Sequence, residues 1–201
     1  TVLDYTFVID KTREVQMLPA PAAASETYAS VQLTKANTDG TYSVTIKYDG
    51  GSFSGSFTAA QGDEPDTVVT QLHTSLDTNK TTGFVIEKTS TYLLIKNTDG
   101  VDFTVEGEAP LGDEVWKITN NRVSETQDLT ARAWNGQKVE IKKATEEEGY
   151  WLEFFTNDGD AFGRGTWDET VPDGTPVSFD PATMPRVITR QEDGSFLLEQ
   201  V

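Results

Sequence analysis

The residues best suited to metal chemistry lie in one acidic stretch near the carboxyl end of the chain. In DGDAFGRGTWDE (158–169), Asp158, Asp160 and Glu169 occupy positions one, three and twelve of a calcium-binding loop. Position five should supply another oxygen ligand but is Phe162, and the flanking sequence has the character of strands rather than helices. We therefore interpret the stretch as an acidic turn, with calcium binding as the alternative.

Other residue types that carry catalysis are sparse. His73 is the only histidine and there is no cysteine, so the sequence offers no second nitrogen or sulfur ligand for a metal ion. His73 lies beside the apolar stripe of a predicted helix, where a boundary position is the simpler interpretation. With 33 acidic residues, some pair will reach glycosidase spacing by chance, which leaves a hydrolase as a weak alternative. We predict no catalytic residues, no cofactor, no metal site and no enzymatic activity.

The tryptophans suggest a different function, the binding of sugars by stacking. Trp151 and Trp167 lie in strand-like runs, where a role in the core is the simpler interpretation. Trp116 and Trp134 lie in less regular sequence and are the better candidates for exposed contacts. The alternative function is therefore a carbohydrate-binding module that recognises host surface glycans.

The charge balance excludes several classes of partner. Lys and Arg number 16 against 33 Asp and Glu, for a formal net charge of −17. Such a chain lacks the basic face that sequence-specific binding to nucleic acid or docking on anionic lipid requires. No apolar run approaches the roughly 18 residues of a membrane span. The chain begins at Thr1, not Met, within a strand-like run, so we expect a piece of a longer polypeptide.

The elements that must position these residues are mainly β-strands. We predict a mainly β (α+β) fold of antiparallel sheets and hairpins, because alternating runs such as GTYSVTIKY (40–48) are bounded by Gly and Asp turns. One amphipathic helix is predicted near 64–78, with Val68, Val69, Leu72 and Leu76 forming its apolar stripe. Asp63 is predicted to cap it.

The order of these patterns predicts three regions. A strand segment at 1–16 belongs to a larger body, and 31–110 forms a unit in which 40–107 read β-β-α-β-β-β. A β-rich unit at 130–201 ends in a hairpin that follows Ala-Thr-Met-Pro, where Pro185 should hold Thr183 and Met184 extended. The segment 17–30 is rich in Pro and Ala and is predicted to be a loop. Residues 111–129 are ambiguous, with a short helix as one interpretation.

Several short motifs resemble the tail nozzle proteins of short-tailed phages, the tail tubular protein B family. TVLDYTFVIDKTREVQM at the start and W-x-E-T followed by A-T-M-P-x-x-I-x-R-x-x-D-G-x-F near the end occur in that family's order and spacing. The residues that carry the resemblance are Asp4, Tyr5, Phe7, Trp167, Glu169, Thr170, Thr183, Met184, Pro185, Arg190, Gly194 and Phe196. The motifs hold turns and strands in shape, and none of them is catalytic.

The resemblance implies a structural component of a phage virion. Full nozzle proteins are longer, so the chain would correspond to a segment from the N-terminal half. The family is expected to assemble in the host bacterial cytoplasm as a homo-hexameric ring. That ring would join the tail adaptor (tail tubular protein A) ring and the tail fibre protein, and would form the conduit through which DNA leaves.

A conduit for DNA should not hold phosphate groups tightly, and the net charge of this chain fits that requirement. An acidic wall repels DNA, whereas a basic wall would bind it with a steep salt dependence. We hypothesise that the turn Glu146-Glu147-Glu148 or the turn Asp158–Asp160 faces the channel or its rim. A plain solvated surface is the alternative.

Overall fold

The computed structural model describes residues 6–8, 14–19, 26–36, 39–110, 112–145, 147–172, 175–184 and 186–200. The chain divides into two compact units, a central unit, Ala24–Pro172, and a terminal unit made of Thr1–Ala23 and Asp173–Val201. These bounds differ from the ranges 1–16, 31–110 and 130–201, which stay a prediction about domains.

The elements confirm the mainly β prediction. In chain order the strands are β1 (Thr6–Val8), β2 (Thr27–Leu33), β3 (Gly40–Tyr48), β4 (Gly51–Ala59), β5 (Phe84–Thr89), β6 (Tyr92–Asn97), β7 (Phe103–Glu108), β8 (Trp116–Thr119), β9 (Arg122–Val123), β10 (Arg132–Trp134), β11 (Lys138–Ile141), β12 (Tyr150–Thr156), β13 (Phe162–Thr170), β14 (Arg186–Arg190) and β15 (Phe196–Gln200). The α-helix α1 (Pro65–Asn79) follows β4, and short 3-10 helices occupy Asp113–Val115 and Thr126–Asp128. Over 40–107 the elements follow the predicted order.

Two sheets and the helix share one core in the central unit. One sheet has the order β4-β3-β7 and the other β5-β6-β2-β8. On β3 the residues Tyr42, Val44 and Ile46 are fully buried, as the alternation predicted. The helix buries Val68, Val69, Leu72 and Leu76, the four residues of the predicted stripe, against the same cluster.

The start of the helix differs from the prediction in its cap. The N-cap residue is Glu64, whose side chain makes no capping hydrogen bond. Asp63 instead accepts a hydrogen bond from the Ala60 N–H at 2.8 Å, closing the turn before the helix. Pro65 at the first turn has no N–H to satisfy, which reduces the need for a side-chain cap.

Strand β6 is covered on both faces. Leu93 and Ile95 belong to the shared core, whereas Tyr92 and Leu94 pack with Trp134 on the opposite side. A strand buried on both faces needs a continuous apolar run, which explains the sequence YLLI. The second layer is a sheet of order β10-β13-β12-β11-β9, which forms its own cluster from Val139, Leu152 and neighbouring residues.

Two segments that lacked a clear pattern are ordered into this architecture. The predicted loop 17–30 is wrong from Thr27 onward, because β2 starts there and pairs with both β6 and β8. Ala29 and Ser30 are fully buried in β2, but neither is a strong strand former, so the period was hidden. The short α-helix predicted within 111–129 is also wrong, because this segment contains β8, which pairs with β2.

The terminal unit is built on a sheet of order β1-β14-β15. Its hairpin pairs Arg190 with Phe196 and turns through Gly194, whose φ of 83° favours glycine. The hairpin predicted after Ala-Thr-Met-Pro is therefore present. Thr183 does not enter the strand extended, however, because its N–H closes a turn onto the Asp180 carbonyl at 2.9 Å.

Candidate functional site

The motif around Trp167 is a structural element of β13. The Trp167 ring meets the Phe154 ring edge to face at 5.0 Å, and its Nε1 donates to the Thr130 carbonyl at 2.9 Å. The Thr170 hydroxyl donates to a carboxylate oxygen of Glu153 at 3.3 Å. Glu169 lies on the same strand with an exposed side chain. These contacts hold β13 against β12 and against the segment that precedes β10.

The motif around Thr183 joins two distant parts of the terminal unit. The Thr183 hydroxyl accepts the Gln16 N–H at 3.0 Å and donates to the Asp180 carbonyl at 2.9 Å. Asp180 in turn accepts the Ala182 N–H through its side chain at 2.9 Å. Met184 follows this turn and is partly buried. The motif therefore stabilises the pairing of the segment near residue 16 with the segment near residue 180.

The remaining motif residues are only partly described. Phe7 pairs with Val187 in the sheet, and Arg190 pairs with Phe196 in the terminal hairpin. Asp4, Tyr5 and Pro185 lie outside the described residues. The hairpin turn is held by Asp193, whose carboxylate accepts the Ser195 hydroxyl and N–H at 2.6 and 2.8 Å. The hydroxyl bond, and after it the N–H bond, lower the pKa of Asp193.

An exposed apolar patch accompanies this motif, and we call it the apolar ladder: Val15, Met17, Val177 and Phe179. Met17 and Phe179 pair as an antiparallel bridge, flanked by the hydrogen bonds Leu18 N to Ser178 O and Asp180 N to Gln16 O. In that pattern the side chains of a directly opposed pair share one face, and extended residues two positions away return to it. The ladder residues are 41–63% exposed, so this face is open in the isolated chain.

The two tryptophans predicted to be exposed are buried, and that prediction is wrong. Trp116 is 8% exposed because it covers Gly107, where an added Cβ would lie 2.7 Å from the indole. Trp134 is 4% exposed and packs edge to face on Phe162 at 5.1 Å. Neither ring can serve as a sugar platform, since both supply cores between sheets.

The contacts around Trp134 include an ion pair with a measurable pH dependence. Glu26 accepts the Tyr28 hydroxyl at 2.7 Å and the Lys96 ammonium at 3.0 Å, and these hydrogen bonds lower the pKa of Glu26. Lys96 also lies 5.0 Å from the Trp134 ring centroid. A carboxylate with a depressed folded pKa stabilises the protein above its unfolded pKa, about 4.3, and loses that contribution as pH falls through the folded value.

We therefore expect Glu26→Gln to lower the free energy of unfolding at pH 7 by less than about 1 kcal/mol, because the pair is partly solvated. The gap between the variant and the parent chain should close as pH falls below about 4. Urea unfolding at several pH values measures this. Glu148→Gln, which removes the same charge from an exposed position, is the control. A gap that persists at low pH would contradict the ion-pair explanation.

The candidate metal and histidine sites have structural explanations. Asp158 and Asp160 lie in the hairpin turn before β13. The pairing of β13 with β12 begins at Gly165, and Glu169 lies four residues farther along the strand, away from that turn. Four strand residues span about 13 Å, too far for one ion. No cluster of three metal-ligating side chains occurs among the described residues. His73 lies at a boundary as predicted, with its Nε2 3.1 Å from the Ile86 carbonyl.

A buried polar network was missed by the sequence interpretation. The Ser30 and Thr130 hydroxyls lie 2.6 Å apart, and the Thr130 N–H donates to the Thr119 hydroxyl at 2.9 Å. The Gln137 amide nitrogen reaches the Ser30 hydroxyl at 3.4 Å. The network joins β2 and β8 to the second layer. All four residues are at most 1% exposed, so a substrate cannot reach them.

These features are hydrogen-bonded turns, contacts between strands and an exposed apolar face. Within the described residues, no helix is both long and apolar enough to cross a membrane. A comparison with curated proteins finds no match. A comparison with models of protein families matches residues 1–201 to the family described as bacteriophage nozzle protein. The chain therefore belongs to the bacteriophage nozzle protein family, whose members are structural components of the phage tail.

Proposed function

We propose that this chain is a non-catalytic part of the tail nozzle ring, which forms the conduit for DNA ejection and supports the tail fibres. In the full-length protein the ring would be a homo-hexamer. The observation that carries the proposal is the apolar ladder, an open apolar face in a chain with a formal net charge of −17. Exposed apolar patches on soluble proteins commonly mark contacts with other proteins.

The ladder suits an interface between subunits. In a ring each subunit contacts its neighbours through two different surfaces, so one surface must complement the other. Val177 and Phe179 are 63% and 54% exposed, so covering them in a contact would remove substantial apolar area from water. Their backbone is also fixed, since the bridge at Met17 and the Thr183 hydrogen bonds hold both segments. A pre-formed surface costs little ordering entropy on association.

The proposed partners follow from the place of a nozzle in the tail. The ring would contact the tail adaptor ring above it and the tail fibre protein at its side. Assembly would take place in the host bacterial cytoplasm, and the product would reside in the virion. The proposed role includes no contact with a membrane and no sequence-specific contact with nucleic acid.

The acidic surface supports the conduit part of the proposal. Glu147 and Glu148 are exposed, as are Asp158 and Asp160, whereas Glu146 lies outside the described residues. We propose that one of these turns faces the channel, where its charge would keep DNA from binding during transit. An electron microscopy map of the assembled ring that places both turns on the outer wall would contradict this assignment.

The assembly role is tested by disrupting the apolar ladder. Phe179→Ser in the nozzle protein should reduce the fraction of protein that assembles into rings, because it removes the largest side chain of the apolar ladder. Sedimentation velocity of the purified protein measures that fraction. The matched control is Phe155→Ser, an exposed phenylalanine of the central unit at 44% against 54%.

Equal ring formation by the parent and Phe179→Ser proteins would contradict the role of the ladder, as would an equal loss in both variants. Thermal melting of each variant shows whether the fold is intact.

The absence of catalysis is tested separately, since release of sugar from a host polysaccharide by the purified protein would overturn it.

A further inference from the structure

Two arginines of the central unit face each other directly across neighbouring strands. Arg132 of β10 and Arg164 of β13 are opposed in the antiparallel pairing of those strands. Directly opposed residues of such a pair have Cβ atoms about 4.5–5.5 Å apart, and like charges in this position are destabilising. Both side chains line a pocket of about 480 Å³. A like-charged pair at one pocket requires an explanation.

Neither arginine is neutralised by an acid of the described chain. Arg122, in contrast, pairs with Glu140 at 2.5 Å. The contacts of Arg132 are with neutral groups: its Nη1 donates to the Thr89 hydroxyl at 3.2 Å, and its guanidinium lies 5.9 Å from the Tyr92 ring centroid. Among the described residues, no ion pair involves Arg132 or Arg164, although acids outnumber bases 33 to 16.

The same pocket collects further hydrogen-bond donors. Ser90, Tyr92 and Asn157 line it beside the two arginines. Tyr92 is 8% exposed, and its hydroxyl has no hydrogen-bond partner within the part of the chain that the structure describes. Burial raises the pKa of Tyr92, with Arg132 and Arg164 acting in the opposite direction, so the hydroxyl stays a donor at neutral pH.

We propose that this pocket binds a carboxylate from an acidic segment of a neighbouring polypeptide in the tail. Two guanidinium groups with hydroxyl and amide donors match the lone pairs of a carboxylate, and charge-assisted bonds of this kind are short and strong. Binding would also relieve the repulsion between the arginines. The choice of a protein as the source of the carboxylate rests on the proposed assembly role, while the site itself does not.

A protein carboxylate fits better than the backbone of a nucleic acid. The formal net charge of −17 opposes a long polyanion, and the exposed acids Asp158 and Asp160 lie within three residues after Asn157 in the chain. A single carboxylate is affected much less by remote charges, because these are screened over about 8 Å at physiological salt. The pocket is also small, so one group with its side chain can enter while a duplex cannot.

The site is tested with a labelled peptide of the chain's own acidic sequence, Thr-Glu-Glu-Glu-Gly, and the same peptide with Gln in place of Glu. Fluorescence anisotropy at fixed ionic strength should show binding of the first peptide and not the second. Arg132→Gln and Arg164→Gln should each weaken binding at least tenfold. Arg122→Gln removes the same charge from an arginine that is already paired and should change binding less than twofold.

Single-stranded oligothymidylate is the second arm of the experiment. Tighter binding of this probe than of the acidic peptide, lost in the same two variants, would overturn the proposal in favour of a nucleic acid site. Failure of the acidic peptide to bind, or an equal loss in Arg122→Gln, would overturn the site altogether. Loss of ring formation in Phe179→Ser tests the assembly role independently, because peptide binding is measured on the chain alone.

A stability measurement guards against variants that fail to fold. Arg164 is the exposed member of the pair, so Arg164→Gln should leave the melting temperature of the free chain unchanged or raise it. Added peptide should raise the melting temperature of the parent chain and not that of Arg164→Gln, since only a ligand bound to the folded state stabilises it. A fall in the melting temperature of free Arg164→Gln would show that the pair is structural and would contradict the proposal.

Discussion

Phe154→Ala should lower the free energy of unfolding of the central unit by about 3–5 kcal/mol. Phe154 is fully buried, and its ring meets Trp167 edge to face at 5.0 Å directly across β12 and β13. Truncation removes the apolar contacts and leaves a cavity. The two strands cannot close this cavity, because hydrogen bonds between their backbones hold them in place. The loss is a large part of the 5–15 kcal/mol typical of a domain.

The adjacent residue provides the control for this experiment. Phe155 lies on the same strand but points to the other face and is 44% exposed, so Phe155→Ala should cost less than about 1 kcal/mol. All four tryptophans lie within 24–172, so tryptophan fluorescence during urea unfolding follows the central unit. Phe154→Ala should lower the midpoint with little change in slope. Similar losses in both variants would contradict the packing.

Local periodicity was enough to predict the helix and the regular hairpins. The stripe of α1 and the alternation of β3 both appear as predicted, because each element buries one face and repeats its apolar residues at its own period. The terminal hairpin follows from Asp193-Gly194, whose turn geometry is local. Such features depend on residues within a few positions of one another, so a single sequence suffices.

Features that depend on distant pairing could not be predicted in the same way. Strand β2 carries small residues, Ala29 and Ser30, whose burial depends on β6 and β8 far along the chain. Trp116 and Trp134 lie in irregular sequence, yet each fills a space between sheets that only the tertiary structure creates. Period-2 patterns define the faces of a strand but not its neighbours.

The candidate surfaces also differ in whether they depend on local sequence or on the pairing of distant segments. The motif residues near Thr183 could be identified from the sequence, because the family's motif has a fixed order, but the turn that they form was not predicted. The apolar ladder joins residues near 17 to residues near 179, and the arginine pair joins β10 to β13. No local pattern links these segments. The surfaces that we assign to assembly therefore became visible only after the strands were paired.

Gly55→Ala should be the most damaging small substitution in the contact between α1 and β4. An added Cβ would lie 2.6 Å from Leu76 Cγ, 2.9 Å from Leu76 N and 3.1 Å from Leu72 O. Two of these atoms belong to the backbone of the helix, so no change of rotamer relieves the overlap. The helix must move away from the sheet, and we expect a loss of about 1–3 kcal/mol in unfolding free energy.

The neighbouring position and a double variant make this prediction specific. Ser54→Ala adds no atoms at an exposed position of the same strand and should change stability by less than about 0.5 kcal/mol. Combining Gly55→Ala with Leu76→Ala removes the side-chain overlap but leaves both backbone contacts, so the double variant should be less stable than either single variant. Urea unfolding compares the four variants with the parent chain. If Leu76→Ala instead restored the stability of Gly55→Ala, the helix would not approach β4 as closely as the structure shows, because only a side chain would then oppose the added methyl group.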